Sequence, residues 1–153
     1  MPVKKLKDFL DSQHVKYVAI THSPAYTAQE VAASAHVSER EVAKTVVVDF
    51  DGKHAMAVLP ANQKIVLQDL REITGYDDLK LAPEDELKEL FPDCELGGMP
   101  PFGNLYGMDV FVAPGLAKNE EIAFNAGSHT ELIKMAYEDF ERLVKPKVTS
   151  FTT

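Results

Sequence analysis

A lysine stands at the entrance to the most apolar stretch of this 153-residue chain, in Val42-Ala43-Lys44-Thr45-Val46-Val47-Val48. Such a side chain either lays its stem along the apolar surface and sends its ammonium out to water, or points it into a cleft. An ammonium held in a cleft suits a phosphate or a developing oxyanion. A second candidate is Gly97-Gly98-Met99-Pro100-Pro101-Phe102-Gly103. Glycine admits positive φ and close approach of a ligand to the backbone. The two prolines fix φ and remove N–H groups, which leaves Gly97, Gly98, Met99, Phe102 and Gly103 as donors. A rigid loop with free N–H groups is how an oxyanion hole or a carboxylate nest is built. A tight connection between two strands has the same composition. No Gly-Lys-Ser/Thr follows, so the loop is not a P-loop. The third candidate, Asn125-Ala126-Gly127-Ser128-His129-Thr130, is a turn of small residues between two strand-like stretches. Functional groups favour such loops on rigid scaffolds, and His129 either holds a proton or a ligand there or stands exposed.

Other chemistries find no support. The five histidines, at 14, 22, 36, 54 and 129, show neither His-x-His nor His-Glu-x-x-His spacing, so no metal is expected. A single cysteine, Cys94, allows no internal disulfide and no thiolate cluster. Asp93 and Glu95 beside it oppose thiolate formation, so it is expected at the edge of the core. No Gly-x-Ser-x-Gly elbow is present to start a serine triad. Asp77-Asp78 and Glu84-Asp85-Glu86 read as solvated turn and helix-start charges. No aromatic-plus-basic stripe of the RRM type appears. Sixteen basic against 24 acidic residues give a net charge of −8, which argues against coating a long duplex and against DNA as a partner. A small basic pocket gripping one end of a nucleic acid is compatible with that charge.

The elements that must position these groups follow from pattern. Val3, Leu6, Phe9 and Leu10 predict a short amphipathic helix, and Tyr17–Ile20 a strand closed by Ser23-Pro24. Thr27-Ala28-Gln29-Glu30 is a capping box opening a helix. Thr45–Phe50, Asp51-Gly52 and Lys53–Leu59 form a hairpin with a type I′ turn signal, its valine run buried on both faces. Helices are predicted over Leu67–Ile73, stopped by Gly75, over Pro83–Phe91, and over Tyr137–Val144. Strands are predicted at 79–81, 109–112, 121–124 and 131–135, and Lys145–Thr153 reads as a polar tail. The result is a single α/β (α+β) domain with a central mixed β-sheet and helices around it, without the doubly wound pattern. Such a length buries enough surface to fold without disulfide or metal. No signal peptide and no apolar run of about 18–20 residues is present, so a reduced, cytoplasmic chain with no membrane segment is expected.

Taken in order, Ala43-Lys44-Thr45-Val46-Val47-Val48, Gly97–Gly103 and Asn125–His129 resemble the YbaK / prolyl-tRNA-synthetase-associated editing domain family of free-standing aminoacyl-tRNA deacylases. His22-Ser23-Pro24 with Thr27–Ala32 is similar to the family's leader, and Gly97 with Pro101 answers its Gly-x-x-x-Pro signature. The likeness spans about residues 3–145. It implies hydrolysis of the ester between a mischarged amino acid and the terminal adenosine of a transfer RNA, on a partly barrel-like mixed sheet, with no metal or organic cofactor. The implied partners are the 3′ acceptor end of an aminoacyl-tRNA and, as a candidate, an aminoacyl-tRNA synthetase. In the family the lysine matching Lys44 is central to activity, and the loop matching Gly97–Gly103 contacts substrate near the scissile carbonyl. Where many relatives carry aspartate after the next strand, this chain has Ala113.

On that resemblance Lys44 and Gly98 are the expected catalytic groups. Thr45, Gly97, Met99, Pro101, Gly103, Gly127, Ser128 and His129 are expected to shape the substrate pocket, with Lys53, Lys64 and Lys134 as candidate RNA contacts. The substrate is expected to be cysteine, alanine or a similar small amino acid on tRNA-Pro or a related tRNA. A non-catalytic module holding an amino acid, a nucleotide or a tRNA 3′ end is the alternative, since a pocket can survive loss of turnover.

Overall fold

The computed structural model describes residues 4–153, so Val3 lies outside them. The chain runs α1 (Lys4–Ser12), β1 (Tyr17–Thr21), α2 (Ala28–Ala35), β2 (Val42–Phe50), β3 (Lys53–Pro60), α3 (Leu67–Thr74), β4 (Lys80–Leu81) and α4 (Glu84–Leu90). After a 3-10 turn at Gly103–Leu105 come β5 (Asp109–Val112), α5 (Pro114–Ala117), β6 (Glu121–Asn125), β7 (Glu131–Ala136), α6 (Tyr137–Val144) and β8 (Lys147–Val148).

Local chemistry accounts for these boundaries. The capping box at the start of α2 is complete: the Glu30 N–H donates to Thr27 Oγ1 at 3.1 Å, and the Thr27 N–H donates to Glu30 Oε1 at 3.2 Å. Asp51 and Gly52 take φ of 50° and 72°, the two positive values a type I′ hairpin turn requires. The α3 helix stops where Gly75 turns left-handed and donates its N–H to the Arg71 carbonyl at 2.8 Å.

The strands order as β1-β7-β6-β2-β3-β5-β8, with β4 paired to β2 off this path. The pairs β1 with β7, β2 with β3, β2 with β4 and β6 with β7 are antiparallel, whereas β2 with β6, β3 with β5 and β5 with β8 pair parallel. The sheet is therefore mixed, as expected, and it is open: β1 and β8 stand at its two edges and do not close it into a barrel. One face packs Val47, Met56, Phe102, Phe124 and Phe140 with Leu6 and Leu10 of α1. The other packs Val48, Leu59, Leu70, Phe111 and Phe151. Val47 and Val48 point to opposite faces and both are buried, which is what the valine run predicts.

The last segment differs from the polar tail expected of it. Lys147 and Val148 add a parallel strand to β5, Phe151 is wholly buried, and Thr152 bridges to Ile65. One aromatic in a polar stretch, with edges left to pair on β5 and at Ile65, suffices to dock the segment.

The β2 strand is where the sheet matters for function. One edge is paired with β3 from Ala43 to Phe50. The opposite edge is shared: Val42 and Ala43 pair with β6, then Val48 and Asp49 pair with β4. Between these, Lys44, Thr45 and Val46 face no strand on that side.

Candidate active site

A cleft of about 170 Å3 opens at this hand-over, lined by Tyr26, Ala28, Val42–Val46, Gly97, Met99 and Asn125. Lys44 is half-buried in its wall. Burial, and after it the positive charge of Lys64, lower the ammonium pKa below the ordinary lysine value. Among the described residues no carboxylate forms an ion pair with Lys44. A desolvated cation without a counter-ion is suited to meeting an anion or a charge that develops during reaction. Of the other lysines raised by sequence, Lys64 acts on Lys44, Lys134 is ion-paired to Glu121 at 3.7 Å, and Lys53 sits at the hairpin turn above the Tyr76 ring.

The opposite wall is the glycine loop, and a second loop fixes it from behind. Gly97 is left-handed at φ 82°, and a β-carbon there would come within 3.3 Å of His129 Cε1. At Gly98 a β-carbon would meet the Ser128 backbone at 3.0–3.1 Å, so only glycine fits without displacing main chain. The Gly127 N–H donates to the Gly98 carbonyl and the Glu95 N–H to the Gly127 carbonyl, both at 2.8 Å. The His129 N–H donates to Glu95 Oε1 at 3.2 Å. His129 Nε2 lies 2.6 Å from the Leu96 carbonyl. A carbonyl only accepts, so Nε2 donates to it, and Nδ1 is buried without a partner.

Lys44, Thr45, Gly97 and Met99 thus meet in one cleft. Gly98 is adjacent, but its N–H donates to the Glu95 carbonyl at 2.9 Å. The Gly97 and Met99 N–H groups carry no intramolecular hydrogen bond among the described residues. Gly127, Ser128 and His129 are buried and do not line the cleft; they support the loop that does. Pro101 and Gly103 are likewise buried beyond the cleft, and Gly103 opens the 3-10 turn. Ala113 is wholly buried at the N-cap of α5 and makes no side-chain cap there.

Two cleft residues lie outside the set expected to shape the pocket, although Asn125 opens the third candidate loop. Asn125 donates Nδ2 to the Gly97 carbonyl at 3.4 Å, tying β6 to the loop, and its Oδ1 is buried without a partner, as is Thr45 Oγ1. Tyr26 precedes the capping box, where an apolar residue ordinarily staples to the fourth helical position. That pattern predicts packing on Val31, yet Tyr26 is 71% exposed and its ring lies 4.7 Å from that of His129.

A larger cavity, about 700 Å3, lies at the far end of the β2–β3 hairpin, lined by Lys53, His54, Tyr76, Tyr106 and Lys147 among others. No residue singled out for catalysis lines it. At its rim His54 Nε2 pairs with Glu86 Oε2 at 2.8 Å, and Asp49 completes a group whose ligand atoms lie within 4.8 Å of one another. The histidine spacing in sequence gives no sign of this trio, which the pairing of β2 with β3 and the placement of α4 bring together. The short His54–Glu86 hydrogen bond holds two of its three members together. Burial pushes the Cys94 thiol up to about 11, which makes it inert at neutral pH. No helix among the described residues is long and apolar enough to cross a membrane.

An open mixed sheet, an unpaired lysine on its central strand and a glycine loop lining the same cleft form a candidate site for a small molecule or a chain end. The chain belongs to the aminoacyl-tRNA editing domain family, whose model matches residues 22–143. It is 27% identical over 148 residues to the Prolyl-tRNA editing protein ProX of Acetoanaerobium sticklandii, covering 93% of this chain and 90% of that protein. It is 26% identical over 153 residues to the Multifunctional Ser/Thr-tRNA deacylase ProXp-y of Escherichia coli K12, covering 97% of this chain and 91% of that one. The solved structure of the hypothetical protein APE2540 shares the fold, with a TM-score of 0.87 at 21% identity over 98% of this chain and all of that one.

Proposed function

We propose that this chain is a trans-acting aminoacyl-tRNA deacylase. It hydrolyses the ester joining a wrongly attached small amino acid to the 3′-terminal adenosine of a transfer RNA. One observation carries the reading: a half-buried lysine without a counter-ion lines one cleft of about 170 Å3 with Gly97 and Met99, whose N–H groups have no partner among the described residues. The names of both curated relatives, an editing protein and a tRNA deacylase, support it.

The aminoacyl group enters the cleft with its carbonyl toward the glycine loop. As water, held by polar groups of the substrate such as the neighbouring ribose hydroxyl, adds to the carbonyl carbon, negative charge gathers on oxygen. The Gly97 and Met99 N–H groups receive that charge, each such donor being worth about 10²–10³ in rate. Lys44 adds its positive charge beside the ester. The proton goes to the leaving ribose oxygen, and free amino acid and tRNA depart. Thr45 carries the only hydroxyl among the lining residues besides Tyr26, and it has no base to activate it, so the attacking group comes from outside the protein. Gly98 contributes by its lack of a side chain, and Ser128, Gly127 and His129 position the loop. The cleft volume of about 170 Å3 favours small amino acids, such as cysteine, alanine or similar ones on tRNA-Pro or a related tRNA.

Release of amino acid from a panel of mischarged transfer RNAs, run beside Lys44→Ala, tests this. Lysine-dependent release from one or two members is expected. No release from any, or equal release by the variant, overturns the assignment.

A further inference from the structure

The rim of the cleft carries one large aromatic side chain that the chemistry above does not use. Tyr26 is 71% exposed, yet the backbone on either side of it is fixed. Ala25 is wholly buried and donates its N–H to the His129 carbonyl at 3.1 Å. Thr27 is locked by both halves of the α2 capping box. One side of the Tyr26 ring leans on His129, with centroids 4.7 Å apart and planes at 45°, and most of the remainder faces solvent. An exposed ring held at a cleft mouth between two anchored residues is a preorganised stacking surface, because little conformational freedom is left to lose on binding.

We infer that Tyr26 stacks on the terminal adenine of the tRNA; this rests on the deacylase reading above. The cleft holds about 170 Å3, room for an aminoacyl group and not for the nucleoside that carries it. With the ester beside Lys44, the ribose lies at the mouth and the base falls outside, on the rim. Unpaired bases at the end of an RNA are held on protein chiefly by stacking on aromatic rings. Tyr26 is the one aromatic side chain that lines this cleft. Stacking also explains how a chain of net charge −8 grips an RNA end with few cations: the base supplies contact that phosphates do not. Stacking uses the ring face and not the hydroxyl, so phenylalanine at this position keeps the contact.

The test compares wild type, Tyr26→Phe and Tyr26→Ala on two esters of one amino acid, its 2′(3′)-adenosine ester and its methyl ester. Binding of a non-hydrolysable aminoacyl-adenosine amide is measured in parallel. Wild type should prefer the adenosine ester through KM, Tyr26→Phe should keep that preference, and Tyr26→Ala should lose about 5- to 150-fold of it. The amide should bind Tyr26→Ala more weakly by the same range and Tyr26→Phe close to wild type. A preference that survives in Tyr26→Ala, or a loss equal on both esters, overturns the stacking role and leaves the deacylase reading standing. Wild type that cleaves neither ester and no member of the transfer RNA panel defeats the deacylase reading. In that case amide binding decides for Tyr26: equal binding by all three proteins, or none, overturns the inference.

Discussion

The main chain of Ser128 passes so close to Gly98 that a single methyl group on Gly98 would stand 3.0 Å from the Ser128 nitrogen. Because the Gly127 N–H also holds the Gly98 carbonyl at 2.8 Å, the two loops cannot separate to admit that group without breaking the bond that orients the cleft wall. Gly98→Ala is expected to lower kcat by at least about 10²-fold while the far-UV circular dichroism stays native, since the displaced loop carries the N–H groups proposed as oxyanion donors. Deacylation by that variant at wild-type rate would remove the loop from the mechanism.

Lys44 should show a trade between activity and stability. Its pKa is lowered in the fold, so the folded state binds this proton less well than the unfolded chain does. Between the folded and unfolded pKa values the unfolded state holds more protons, and stability rises with pH through that window. At neutral pH, below both values, the burial penalty is present in full. Lys44→Met is therefore expected to abolish deacylation and to melt at or above the wild-type temperature, with the gap narrowing as pH approaches the ordinary lysine range. A melting point clearly below wild type at pH 7 would contradict this.

Lys64 lowers the Lys44 pKa by charge alone. Lys64→Gln should raise it, and the alkaline limb of the kcat/KM profile, corrected for uncatalysed ester hydrolysis, should move to higher pH. An unmoved limb would mean that the group titrating in that profile is not Lys44.

Phe151 fills the core on the side away from α1. Phe151→Ala should cost about 3–5 kcal/mol in urea unfolding, the usual loss for a buried aromatic. A polar tail would give no measurable change.

Binding to tRNA should depend on salt only weakly. With Lys44 and Lys64 as the cations at the cleft, the log–log slope should lie near −0.7 to −1.4, at about 0.7 per phosphate of a single strand. A slope several times steeper would reveal a larger footprint.

Much of this architecture can be read from neighbours in sequence. The capping box at Thr27, the Asp51-Gly52 turn and the Gly75 stop are each decided within a few residues, so their signals survive without tertiary information. The resemblance carried Lys44 and the Gly97 loop to one site, and the fold puts both in one cleft. What sequence hid was decided by pairing at long range. The placement of Gly127, Ser128 and His129 behind the cleft depends on bonds to Glu95, Leu96 and Gly98, more than 25 residues away. Tyr26 was hidden because local rules turn it toward Val31, whereas His129 offers it another ring. The docking of Phe151 rests on a ladder with β5 and a bridge to Ile65 that no local pattern announces.

The interruption along one edge of β2 makes the candidate cleft an unfinished ladder. Lys44, Thr45 and Val46 lie where β6 has already ended its pairing and β4 has not yet begun. Extending either neighbour by two or three residues would complete the sheet and fill the space a substrate needs, without altering any residue that lines it. Variants selected only for resistance to heat should therefore drift toward a better sheet and a silent enzyme. In this fold, function occupies a place that stability would otherwise take.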